Sequence, residues 1–143
     1  MDTEALNILY DYMHQFEYVA KMDLCGDRLY AMGAVPYGYV SRLDLMKSMP
    51  GSPYHLSLMP GFWRKKHLLN ALVRNESPHQ VEMVGTTRLS HMQDVIVLGT
   101  RQWPLRTTLA LRGGDASRLL TDEIDPGDLT EIRRLGFLKP WEE

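Results

Sequence analysis

The side chains in this sequence whose types could do chemistry are five histidines, one cysteine and a scatter of arginines and lysines. His14, His55, His79 and His91 are dispersed, and no serine or cysteine lies in a Gly-x-Ser-x-Gly turn or another nucleophile signature. His79 and Glu82 could share a strand end, but chance often supplies that spacing. Gly113-Gly114 lacks both the Lys-Ser/Thr of a phosphate loop and the third glycine of a dinucleotide fingerprint. No catalytic constellation stands out, so a role other than catalysis is the expectation. The lone Cys25 sits in turn chemistry, Cys25-Gly26-Asp27, with only Lys21 and Arg28 nearby to lower its pKa. It reads as an incidental turn thiol. One cysteine builds neither an internal disulfide nor a cysteine metal site, and no metal ligand set is expected.

Binding chemistry is better represented. Arg64-Lys65-Lys66 stand beside Phe62 and Trp63, a combination that holds phosphates or stacks bases. They also open a helix, where the dipole disfavours cations, and the net charge of -2 counts against a nucleic-acid partner. Nine methionines suggest an adaptable apolar pocket. Its expected lining is Met22, Tyr30, Met32, Met46, Met59, Leu69, Met83 and Trp103, residues that ordinary core packing explains equally well. Arg88, Arg101 and Arg106, if they lie on strands, could clamp a carboxylate. That is the basis of an alternative: a small enzyme with an apolar pocket whose arginines hold an acidic substrate.

The elements that must position these groups begin with a helix over 3–15, capped by Asp2 or Thr3, with Leu6, Leu9, Tyr10 and Met13 at three- and four-residue spacing. From Phe16 the period becomes two, and 16–33 reads as a β-hairpin whose first strand is half-buried. Between Ala34 and Pro60 proline and glycine allow only short helical stretches such as 40–48. A longer helix follows over 61–75, with Phe62, Leu69 and Val73 on its inner face. Strands are predicted over 81–89, 95–98 and 107–112, giving five in all. A last helix over 126–135 is set by Asp125, Pro126 and the closing Arg133, Arg134 and Gly136.

At 143 residues the chain has the length of one domain, with a composition inside the globular range. No apolar run approaches the roughly 20 residues of a membrane span, and no leader-like segment opens the sequence. A cytoplasmic location without membrane contact is therefore expected.

Helix, hairpin, helical crossover and a three-stranded run is an element order similar to that of PAS domains. The phrases FEYVAKMDLCGDRLYAMG (16–33), LMPGFWRKKHLLNALVRNESPHQVEM (58–83) and DVIVLGTRQWPLRTTLALRGGDAS (94–117) resemble that family's opening hairpin, central helix and closing strands. The likeness spans about 5–118, with a core at about 16–118. It implies an α+β fold with a five-stranded antiparallel sheet, helices on one face, and further helices at both ends. It also implies a sensory or regulatory module, for instance in transcriptional control, that binds a small apolar ligand or a partner protein or output domain. Signalling would pass through dimerisation, with Leu6, Leu9 and Met13 as the seam of a homodimer. The resemblance admits haem or flavin as cofactor, and neither is singled out. The flavin-type Asn-Cys-Arg-Phe motif does not occur. His67 matches the helix that supplies a haem ligand in the family, but lies about 200° from Leu69, on the outward side by helical periodicity.

Overall fold

The computed structural model describes residues 1–25, 33–105 and 126–135. The chain forms two compact units, Met1–Arg106 and Thr107–Glu143. The first holds helix α1 (Thr3–Gln15), strands β1 (Val19–Asp23), β2 (Val35–Val40), β3 (Leu43–Ser48) and β4 (Gly61–Trp63), helices α2 (Lys65–Ala71) and α3 (Pro78–Ser90), and strand β5 (Ile96–Thr100). In the second, helix α4 (Pro126–Arg134) closes one residue short of the expected boundary, with an exposed Arg134–Glu131 ion pair. The protein is α+β.

The five strands lie in the order β2-β3-β5-β1-β4. The sheet is mixed, not antiparallel as expected, because β1 and β5 run parallel while every other pair is antiparallel. Both edges of β1 are occupied, by β5 and β4, so the expected 16–33 hairpin partner has no edge of β1 to pair with. The returning strand itself falls at 29–33, mostly outside the described residues, as does the strand expected over 107–112.

Asp2 caps α1, its carboxylate accepting from Ala5 N at 3.0 Å. Ala5, Leu9 and Met13, four residues apart, bury one helix face. They pack with Val19, Met22, Leu43, Leu45 and Leu98. A second cluster joins Ala20, Leu56, Ala71, Val81, Leu89 and Val97. Val97 and Leu98 are adjacent on β5 and so point to opposite faces of the sheet. Hence α1 covers one face and α2 with α3 the other, correcting the expectation of helices on one face. The proposed dimer seam is also corrected: Leu9 is fully buried, Met13 nearly so, and Leu6 packs against the same cluster.

Three segments differ from expectation for local reasons. Residues 43–48 form a strand, because Ser41 takes a left-handed φ of 52° and turns the chain between β2 and β3. Residues 81–89 form a helix. Val81, Gly85 and Leu89 are four apart, a spacing that fits one helix face and one strand face alike, and the cap decides between them. Ser77 Oγ accepts from Gln80 N at 3.3 Å while Ser77 N donates to Gln80 Oε1 at 2.8 Å, with Pro78 in the first turn. Gly85 lets α3 lie close to Leu56, since a Cβ there would stand 2.9 Å from Leu56 Cδ1 and the leucine side chain would have to shift.

The third segment, 61–75, opens as β4, and α2 is short. Arg64 fixes that break. Its guanidinium donates to Val19 O at 3.3 Å, to Phe16 O at 3.1 Å and to Met13 O, tying β4 to the carbonyl end of α1. Arg64→Ala is expected to lower stability by about 2 kcal/mol, the scale of charge-assisted hydrogen bonds. Arg64→Lys, with one ammonium for three carbonyls, should recover only part, read as the midpoint of urea unfolding. An alanine variant as stable as the parent would contradict this role.

Candidate functional site: a groove at the end of β5

Two polar clusters distinguish this unit, one closed and one open. The closed cluster centres on Lys21, fully buried, which pairs with buried Asp23 and donates to Ser57 O at 2.7 Å. Its ammonium also lies 5.3 Å from the Trp63 ring centroid. Beside it, His55 Nδ1 and Ser48 Oγ are 2.8 Å apart, and both residues are buried. Burial, and then the charges of Lys21 and Lys47, press the His55 pKa down to about 4. A serine–histidine contact invites comparison with a nucleophile and its base. Among the described residues, however, no carboxylate is hydrogen-bonded to His55, and both groups are shut from solvent. The cluster holds β1, β3 and the 55–57 loop together.

The open cluster follows β5. Pairing of Leu45 with Thr100 and Met46 with Gly99 brings the end of β5 against β3. Gln102 then occupies Asp44: Asp44 N donates to Gln102 Oε1 at 2.9 Å, and Gln102 Nε2 donates to the Asp44 carboxylate at 3.2 Å. Arg101 N donates to Asp44 O at 3.2 Å, but its guanidinium reaches the Met46 sulfur at 3.4 Å. The Asp44 carboxylate, on β3 itself, is therefore held by an amide. Arg101, exposed, makes no ion pair among the described residues.

Arg101, Met46, Trp103 and Ala34 line an open groove of about 450 Å³. A smaller hollow of about 140 Å³ shares Met46 and Arg101 and continues to Pro36, Tyr39 and Asp44. Trp103 is 53% exposed, so part of its indole reaches the groove and solvent. The groove thus offers a cation, a polarisable thioether and an indole. It lies beyond the carboxyl end of β5, on the side of β3 and β2.

Of the pocket lining expected from sequence, Met46 and Trp103 come together here. Met22 is core, Met59 is half-buried elsewhere, and Leu69 and Met83 are exposed on α2 and α3. Tyr30 and Met32 lie outside the described residues. The expected arginine clamp is not assembled. Arg88 is on a helix and is held by Glu76 at 2.5 and 2.9 Å and by Ala71 O at 2.8 Å; Arg106 lies outside the described residues. His67 is half-buried and Leu69 is 57% exposed, the reverse of the expected orientation. Burial and the charges of Lys66 and Arg64 lower the His67 pKa, and none of the grooves described is lined by it. Cys25 is buried, with its sulfur 3.9 Å from Pro60 O, so it is not an exposed turn thiol.

Among the described residues no group of three or more His, Cys, Asp or Glu could hold a metal ion, and no helix is long and apolar enough to cross a membrane. Comparison with protein-family models, with curated proteins and with solved structures finds no match to this chain.

Proposed function

We propose that this protein is a regulatory ligand-binding module whose site is the groove of Arg101, Met46 and Trp103, and whose ligand is a small molecule with a planar apolar body and one anionic group. The observation that carries this reading is the guanidinium of Arg101, left without a carboxylate partner among the described residues while Gln102 engages Asp44, beside an exposed indole. A carboxylate can take two parallel N–H···O bonds from that guanidinium. The thioether and indole supply contact area for the body of the ligand. None of the three groups is a nucleophile or base at neutral pH, so what they supply is grip. The regulatory half of the proposal rests on the likeness of the sequence phrases to PAS domains, from which the mixed sheet is a departure.

The test is calorimetric titration of the full chain with 2-naphthoate. Saturable binding is expected, weakened about tenfold or more by Arg101→Ala and partly restored by Arg101→Lys, in line with loss of a charge-assisted pair. Trp103→Ala should weaken it as well. Absence of saturation at millimolar ligand, or equal affinity in the parent and both alanine variants, would overturn the proposal.

A further inference from the structure

Strand β4 is an edge strand of the sheet among the described residues, and its register turns four backbone groups away from β1 with no partner among those residues. Arg64 N donates to Ala20 O and Leu24 N to Pro60 O, so the hydrogen-bonded pairs with β1 are 20 with 64, 22 with 62 and 24 with 60. Gly61 and Trp63 fall between them, and their N–H and C=O groups point away from β1, where no hydrogen bond from the described residues meets them. Such an edge is a template for another strand.

The edge has a slot and a charge. A hollow of about 180 Å³ lined by Tyr10, Met13, His14, Phe62, Trp63 and Arg64 opens on the α1 side of β4. Tyr10 meets Phe62 edge-on, with centroids 5.7 Å apart, to form an aromatic wall. No carboxylate among the described residues lines the hollow. Lys65 and Lys66, both exposed, follow β4 after Arg64 and begin the helix on the opposite face of the sheet.

We infer that the edge of β4 docks an extended acidic peptide segment of a partner protein by strand addition. Side chains of an added strand alternate between the two faces. One apolar side chain would enter the hollow beside Phe62, and the acidic neighbours would face the lysine side. This site is independent of the Arg101 groove.

The probe is the peptide acetyl-Glu-Val-Glu-Phe-Glu-Val-Glu-amide, titrated into the full chain. Binding is expected to slow hydrogen exchange at the Gly61 and Trp63 amides and to weaken as salt rises. Two N-methylated versions separate strand pairing from mere contact. Methylating the amides that face β4 should cost about tenfold or more in affinity, and methylating the alternate set should cost nothing. Lys65→Glu with Lys66→Glu should weaken binding, and Arg101→Ala should leave it unchanged. The inference is overturned if the peptide does not saturate at millimolar concentration, or if both methylated versions bind alike. It is also overturned if these two amides are already protected in a concentration-dependent dimer, which would make a second copy the occupant.

Discussion

Asp23→Ala is expected to destabilise the fold by about 3–5 kcal/mol, the cost of leaving one partner of a buried ion pair uncompensated. Lys21 and Asp23 are two apart on β1 and therefore share a face, yet both faces of that strand are covered by helices. The ammonium is fully buried and has Asp23, Ser57 O and the Trp63 ring around it. Removing the carboxylate leaves a cation with one carbonyl and one ring. A loss of that size is a large share of the about 5–15 kcal/mol that separates a folded domain from its unfolded chain. The double variant Lys21→Met with Asp23→Leu keeps the test sharp, because replacing both charges by apolar groups of similar volume should return most of the stability. Urea unfolding of both proteins checks this. A single variant within about 1 kcal/mol of the parent would mean that the pair does not hold β1.

The second large effect is acid sensitivity from His55. Burial and nearby lysines hold its folded pKa at about 4, below the 6.5 of an unperturbed imidazole. Between those values the unfolded chain takes up a proton that the fold refuses. Stability is thus complete above about pH 6.5 and falls as pH drops toward 4, by about 3 kcal/mol in total. His55→Asn should flatten the dependence within this window. The depressed carboxyl of Asp2 acts at lower pH, because its contribution is present above 3.8 and is lost only below that. Unfolding midpoints at pH 7 and 4.5 for both proteins provide the measurement. Equal pH dependence in the two would contradict the assignment.

The elements written by local signals were legible. The Asp2 cap and four-residue spacing specify α1, the aliphatic run 95–98 announces β5, and Pro126 with Arg133 and Arg134 marks α4. The helix at 78–90 was obscured because positions 81, 85 and 89 obey both periods, although Ser77-Pro78-His79-Gln80 carried its cap in plain sight. Tertiary partners decided the rest. Lys21 and Asp23 have the spacing of a solvated strand face and are buried only because β1 lies inside a sheet covered on both sides. The groove was half legible. Met46 and Trp103 belong to one expected pocket lining, while Arg101 belongs to a separate expected clamp. What unites them is the pairing of β3 with β5 across 55 residues of chain, which no spacing encodes.

The most direct measurement follows the Arg101 Nε–H and the indole N–H signals of Trp103 and Trp63 by ¹H–¹⁵N NMR while 2-naphthoate is added to the full chain. The expected result is that Arg101 and Trp103 shift together along one saturating curve while Trp63, in the other hollow, stays in place. Movement of Trp63 alone, or no movement of Arg101 and Trp103 at millimolar ligand, would contradict a binding site at the end of β5.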